Sequence, residues 1–102
     1  MYKITYLLIA KKDLMEIIEY ITNKLNVPKI ALDLLESFEE SILRLEQFPF
    51  SCKVYKSKMK DFESEYRLLP VKNYVVFYVV KEKFIEIHRI LYSKMDLNKL
   101  FK

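Results

Sequence analysis

Few side chains in this sequence could do chemistry, and several fall in one run. Residues 87–96 read IHRILYSKMD and hold the only histidine, His88, beside Arg89 and Tyr92, with Lys94 just beyond. An imidazole titrates near neutral pH and suits proton transfer. A guanidinium can clamp a phosphate or carboxylate with two parallel hydrogen bonds. Tyrosine rings, of which the chain has eight, can stack on bases. Arg67 is the second arginine of interest. Like Arg89, it interrupts an apolar run, where its head group must reach water, an anion or an internal carboxylate. The functional reading is an anion cradle of Arg67 and Arg89 helped by Lys53, Lys56 and Lys94. The plain reading is a pair of snorkelling or ion-paired arginines.

Spacing limits what these groups can do together. In an unbroken strand Ile85, Ile87, Arg89 and Leu91 share one face, and Glu86, His88, Ile90 and Tyr92 share the other. His88 and Arg89 then point apart and cannot form a contiguous acid–base pair. One histidine and one cysteine, Cys52, leave no metal-ligand set and no intramolecular disulfide. The chain has no glycine. P-loops, dinucleotide fingerprints and glycine-lined oxyanion turns are therefore excluded, since each needs backbone without a Cβ. No cofactor is expected.

The elements that must position these residues follow from hydrophobic period. At 102 residues, with 52% apolar and 31% charged side chains, the chain is expected to form a single domain over 1–102. No apolar run approaches the roughly 20 residues needed to span a bilayer, so no membrane partner is expected. The N-terminus MYKITYLLIAKKD reads as a first strand through YKITYLLI rather than a signal peptide, which points to the cytoplasm. From Asp13, Leu14, Ile17, Ile18, Ile21 and Leu25 make one helical stripe. Asn26-Val27-Pro28 breaks it. Ala31, Leu34, Leu35, Phe38, Ile42 and Leu45 then make a second stripe, ended by Phe48-Pro49. Residues 51–65 keep no period and carry Lys53, Lys56, Lys58 and Lys60. YRLLPV, YVVFYVV and FIEIHRILY are three strands joined at Lys72-Asn73 and Lys81-Glu82-Lys83, with Asn73 the residue best suited to a positive φ. YVVFYVV is apolar on both faces and reads as a covered central strand. The predicted fold is α+β, in the order β-α-α-β-β-β: an antiparallel-rich sheet with an N-terminal helical hairpin on one face.

The order of motifs carries a resemblance. A short first strand, an acidic helical hairpin ending in L-x-x-F-P, then YRLLPVKNYVVFYVV and IEIHRILYSKMD, resembles the RelE/ParE superfamily of bacterial type II toxins over nearly the whole chain. The resemblance implies a growth-inhibiting toxin masked by a cognate antitoxin that lays a helix and extended segments over its surface. Operator DNA would be met only indirectly, through that antitoxin. RelE-like members cut messenger RNA on the ribosome without a metal, using basic residues and a tyrosine to stabilise the phosphate in flight. ParE-like members act on DNA gyrase and are not hydrolases.

Matched residue by residue, Arg67 stands at the first basic position of the RelE-type site, but the position two further on is Leu69. The arginine expected after Tyr74 is Val75, and Ser93-Lys94-Met95-Asp96 replaces the basic cluster after the last strand. The Y-x-x-F-Y and R-I-L-Y patterns look closer to the ParE branch. A nuclease would have to work with Arg67, Tyr92 and Lys94, and would be a metal-independent RNA endonuclease with a degenerate site. A further alternative is an attenuated toxin that retains only antitoxin binding. Binding roles fall to Arg67, Arg89, Lys53 and Lys56. The formal charge of +4, with exposed apolar and aromatic surface, suits an acidic amphipathic segment as the partner.

Overall fold

In a computed structural model, residues 1–55 and 65–94 are described. Strand β1 is Lys3–Tyr6, helix α1 is Leu8–Glu19, helix α2 is Pro28–Leu43, and strands β2, β3 and β4 are Arg67–Val71, Tyr74–Lys81 and Phe84–Tyr92. A π-helical turn over Tyr20–Lys24 continues α1, and a 3-10 turn over Arg44–Glu46 continues α2. The four strands form one sheet in the order β1-β4-β3-β2. β1 runs parallel to β4, and the other two pairings are antiparallel. The predicted α+β fold and element order are therefore the observed ones.

The boundaries differ in two places. The first strand stops at Tyr6, and α1 starts at Leu8, before the Asp13 at which the helical period becomes visible. Leu8 and Ile9 are apolar yet exposed there, so LLI reads as strand by composition alone while the backbone already turns. Between the helices, Asn26 takes φ 56°, the left-handed conformation that Asn tolerates after a helix. Pro28 follows at the first turn of α2, where its missing N–H costs nothing.

The two hairpins have two-residue turns, fixed by the pairs Val71↔Tyr74 and Lys81↔Phe84. With no glycine available, Lys72 (φ 55°) and Glu82 (φ 37°) carry the positive φ, each at the first central position. Asn73, expected in that role, sits second and does not take it; the sign pattern is that of a turn needing φ > 0 only at its first position.

The helices cover one face of the sheet. Ala10, Ile21, Ala31, Leu34, Phe38, Ile42 and Leu45 pack against Val71, Val76, Tyr78, Ile85, Ile87 and Ile90. This is the predicted stripe of α2 almost residue for residue, with Leu35 half-buried. On the opposite face Val75, Phe77 and Leu91 form a second, smaller cluster under Tyr55, Tyr66 and Leu68. Both faces of β3 are thus covered, as its unbroken apolar run implies.

Alternation in β4 does not hold through its length. The β3–β4 register shifts between Phe77 and Tyr78, so Tyr78 pairs with Ile87 while Phe77 pairs with Arg89. The extra residue is His88. Beyond this bulge the faces exchange: Ile90 joins Ile85 and Ile87 under the helices, and Leu91 goes to the second cluster. The grouping expected from strict alternation is overturned from Arg89 onward, and with it the expected divergence of His88 and Arg89: Arg89 stands opposite Phe77 of the second cluster, because one bulged residue reverses everything after it.

Candidate functional site

Three places collect polar or aromatic groups. The first lies where α1 crosses the end of β4. β1 has already ended there, leaving the β4 edge open. Asp13 fills the gap: its Oδ2 accepts from the Ile90 N–H at 3.0 Å and from Arg89 Nε at 2.8 Å, while Oδ1 accepts from Arg89 Nη2 at 3.0 Å. The side chains of Arg89 and Asp13 are only 24% and 11% exposed. The paired carboxylate raises the Arg89 pKa against the opposing pull of burial. Arg89 is therefore held by an internal carboxylate, the plain reading of its position.

Beside this latch is a groove walled by tyrosines. Tyr74 and Tyr92 meet edge to face at 5.9 Å. Burial raises the Tyr74 pKa first, with Tyr92 and Tyr20 adding to it. Tyr20 and Tyr74 are the shared wall of two adjoining cavities. One, of about 310 Å³, runs along α1 and β4 past Glu16 and Tyr92. The other, of about 440 Å³, runs between the π-helical turn, α2 and the β2–β3 turn, past Leu25, Ile30 and Asp33.

The second place is the outer edge of β2. Residues 53–55 pair there through Val54↔Arg67, with Tyr55 N–H donating to Tyr66 O at 2.7 Å and Leu68 N–H donating to Lys53 O at 3.0 Å. Arg67 turns toward the preceding loop. Its Nη1 donates to Cys52 O at 2.7 Å, Nη2 meets Glu65 Oε1 at 3.3 Å, and its guanidinium carbon lies 5.0 Å from the Phe50 ring centroid. Tyr78, fully buried, donates its hydroxyl to Pro49 O at 2.8 Å and pins the same loop. Burial first, and Cys52 second, push the Tyr78 phenol well above its ordinary range. Lys53 is exposed nearby.

The third place is the helix-free face. His88 Nδ1 and the Tyr66 hydroxyl are 3.1 Å apart, and His88 Nε2 lies 3.1 Å from Glu86 Oε1. Lys81 Nζ approaches the same Glu86 oxygen at 3.3 Å. The hydrogen bond to His88 lowers the Glu86 pKa, with Lys81 assisting. Both imidazole nitrogens thus have partners within the fold. Among the described residues, no group of three His, Cys, Asp or Glu could hold a metal ion.

The predicted site residues are not brought together. Arg67 pairs with Tyr78, whereas Tyr92 pairs with Tyr74, four residues earlier on β3, and lies on its other side. At about 3.3 Å per residue and about 4.8 Å per strand, the Arg67 and Tyr92 Cα atoms are roughly 16 Å apart. Lys94 is exposed just past Tyr92 and shares that end, not Arg67's. Lys56, Lys58, Lys60, Met95 and Asp96 lie outside the described residues. Sequence reasoning missed Asp13, Tyr20 and the Tyr66–His88–Glu86 network. The Glu86-x-His88 spacing on one strand face was the available signal for the last; nothing local marks Asp13 as the partner of a residue 76 positions away.

The sequence matches the family described as ParE toxin of type II toxin-antitoxin system, parDE, over residues 4–97. This chain belongs to the ParE toxin family. The match covers both helices and all four strands, and the chain is accordingly a type II toxin of the ParE branch. Among solved structures, it is similar to the chromosomal ParDE TA system from P. aeruginosa, with a TM-score of 0.74 at 23% identity, covering 92% of this chain and 98% of that one. At that identity the likeness is one of fold. No curated protein matches. Among the described residues, no helix is long and apolar enough to cross a membrane.

Proposed function

We propose that this ParE-family toxin arrests bacterial growth by binding a protein target, with DNA gyrase as that target, and that a cognate antitoxin neutralises it by covering its apolar surface. The observation that carries this reading is the dispersal of the groups RNA cleavage would need. Metal-free phosphodiester cleavage works by holding cationic donors and a proton-transfer group around one phosphate. Here Arg67 is tied to Cys52 O and Glu65, Arg89 to Asp13, and Tyr92 lies at the other end of the sheet from Arg67. Binding asks less of the site: exposed apolar and aromatic surface on a rigid frame. Leu8, Met15, Tyr20, Ile30, Leu32 and Leu43 supply such surface on the helices, each more than half exposed. The ParDE assembly similar in fold supports an antitoxin as one partner, and operator DNA would be reached through that antitoxin.

The test is plasmid supercoiling by purified gyrase with the toxin added, then with toxin and antitoxin together. Inhibition relieved by the antitoxin is expected. Unaffected gyrase together with cleavage of ribosome-bound mRNA would support instead a RelE-like nuclease using Arg67, Tyr92 and Lys94. Absence of both activities, with the antitoxin complex still forming, would leave an attenuated toxin.

A further inference from the structure

The chain as a whole carries +4, yet its tyrosine-walled groove is locally electron-rich. We propose that this groove seats a cationic side chain, lysine or arginine, borne by an apolar segment of the neutralising partner. The proposal rests on the reading that such a partner exists and names the chemistry by which it is recognised.

The argument starts from the walls. Tyr20 and Tyr92 are 54% and 42% exposed, and Tyr74 lies between the two cavities. Tyrosine rings present negative π faces, and several around one space attract a cation. A carboxylate stands at the wall of each cavity. Arg89, the one basic group lining the first cavity, is neutralised by Asp13 through two hydrogen bonds, and Glu16 adds only the smallest of the attractions on it. The 3.9 Å contact of Glu16 to Lys12, with side chains 64% and 74% exposed, is a solvated pair of little strength. Asp33 is exposed on the wall of the second cavity, whose lining holds one basic group, Lys72. Leu25 and Ile30, 52% and 56% exposed, give the occupant apolar ground on either side of its charge.

The backbone supports the same conclusion. Tyr20 opens the π-helical turn, in which Leu25 N–H donates to Tyr20 O at 3.1 Å, five residues back. Such turns are uncommon and recur at functional positions. This one sits at the junction of both cavities. An acidic segment, which net charge alone favours, would meet three carboxylates here, Asp13, Glu16 and Asp33, against two cations, Arg89 and Lys72, so the lining is net negative. It would be repelled locally even while attracted globally.

The experiment uses the purified full-length toxin and two short blocked peptides of identical apolar sequence, one with a central arginine and one with a central glutamate. Tyrosine ring resonances are followed by NMR, assigned through single Tyr→Phe variants. The arginine peptide is expected to shift Tyr20, Tyr74 and Tyr92. Its affinity should fall about tenfold in Glu16→Lys and by a similar factor in Tyr20→Ala, the scale of one partly desolvated cation–π contact. Glu19→Lys, the same charge change on an exposed residue of α1 outside both cavities, should leave binding within about twofold, the scale of a screened charge at a distance. Equal or tighter binding of the glutamate peptide would overturn the proposal, as would shifts confined to other tyrosines or none at millimolar peptide. Growth arrest and its relief by the antitoxin are measured alongside. Relief without arginine preference sinks the groove assignment alone, whereas absent arrest sinks the toxin reading and leaves peptide binding to stand by itself.

Discussion

Arg67 and Arg89 pose one problem to the fold, a guanidinium within an apolar strand, and the strands on either side of β3 solve it differently. At Arg89 the partner is an ionised carboxylate that also caps the open β4 edge, so charge and backbone are satisfied by one side chain. At Arg67 the partners are a backbone carbonyl, an aromatic ring and Glu65, whose side chain is 64% exposed. The first arrangement closes on itself and positions α1 against the sheet. The second leaves a positive charge balanced mainly by a solvated carboxylate. Of the two, only Arg67 could exchange an internal partner for an external anion at small cost. An arginine in a strand is therefore no site by itself; its nearest carboxylate decides what it can do.

The largest effect should come from breaking the closed arrangement at Arg89. Asp13→Ala strands a mostly buried guanidinium and the Ile90 N–H together, and should cost about 3 kcal/mol in urea unfolding. Adding Arg89→Met to Asp13→Ala should recover part of that loss. A double variant no more stable than Asp13→Ala would show that the edge N–H, not the ion pair, dominates. At the open arrangement on β2, Arg67→Ala should cost about 1.5 kcal/mol, the sum of one charge-assisted hydrogen bond and one ring contact. A loss as large as that of Asp13→Ala would erase the contrast between the two arginines.

Tyr78→Phe sharpens the picture of the loop that Arg67 also holds. It removes the hydrogen bond to Pro49 O and should cost about 1 kcal/mol at neutral pH. The folded Tyr78 pKa is raised, so its contribution is intact below pH about 10 and fades as the unfolded phenol ionises above it. Alkaline unfolding curves should therefore show the gap between wild type and Tyr78→Phe closing above that pH. The smallest effect is expected on the helix-free face. Glu86 has a lowered folded pKa, so its contribution is present above the ordinary carboxylate range and is lost as pH falls through it. Glu86→Gln should cost about 0.5 kcal/mol at pH 7, a difference that vanishes once the pH has fallen below the lowered folded pKa.

Much of this architecture was legible because periodicity reports burial. The Ala31–Leu45 stripe, the Pro28 restart and the twice-covered β3 all follow from apolar spacing that one helix or strand can satisfy. What escaped depends on partners far away. The bulge at His88 arises from pairing with β3, although the step of three from Ile87 to Ile90 breaks the period of two and hints at it. Lys72 takes the positive φ because of where the turn falls in the register, a matter that residue preference alone would have given to Asn73. The tyrosine-walled groove joins Tyr20 to Tyr74 and Tyr92 across three elements, and no local pattern announces it. The superfamily pattern was legible because it is a sequence of elements; the site was not, because its residues are assembled by the bulge and by Asp13.

The central claim, that this toxin works by binding rather than by cutting RNA, is tested most directly by controlled induction in cells, following labelled thymidine and labelled methionine separately for the wild type and Arg67→Ala. Early loss of thymidine incorporation, with protein synthesis continuing and Arg67→Ala behaving as wild type wherever it accumulates to the same level, is the predicted result. Early loss of methionine incorporation, abolished by Arg67→Ala at equal protein level, would contradict it.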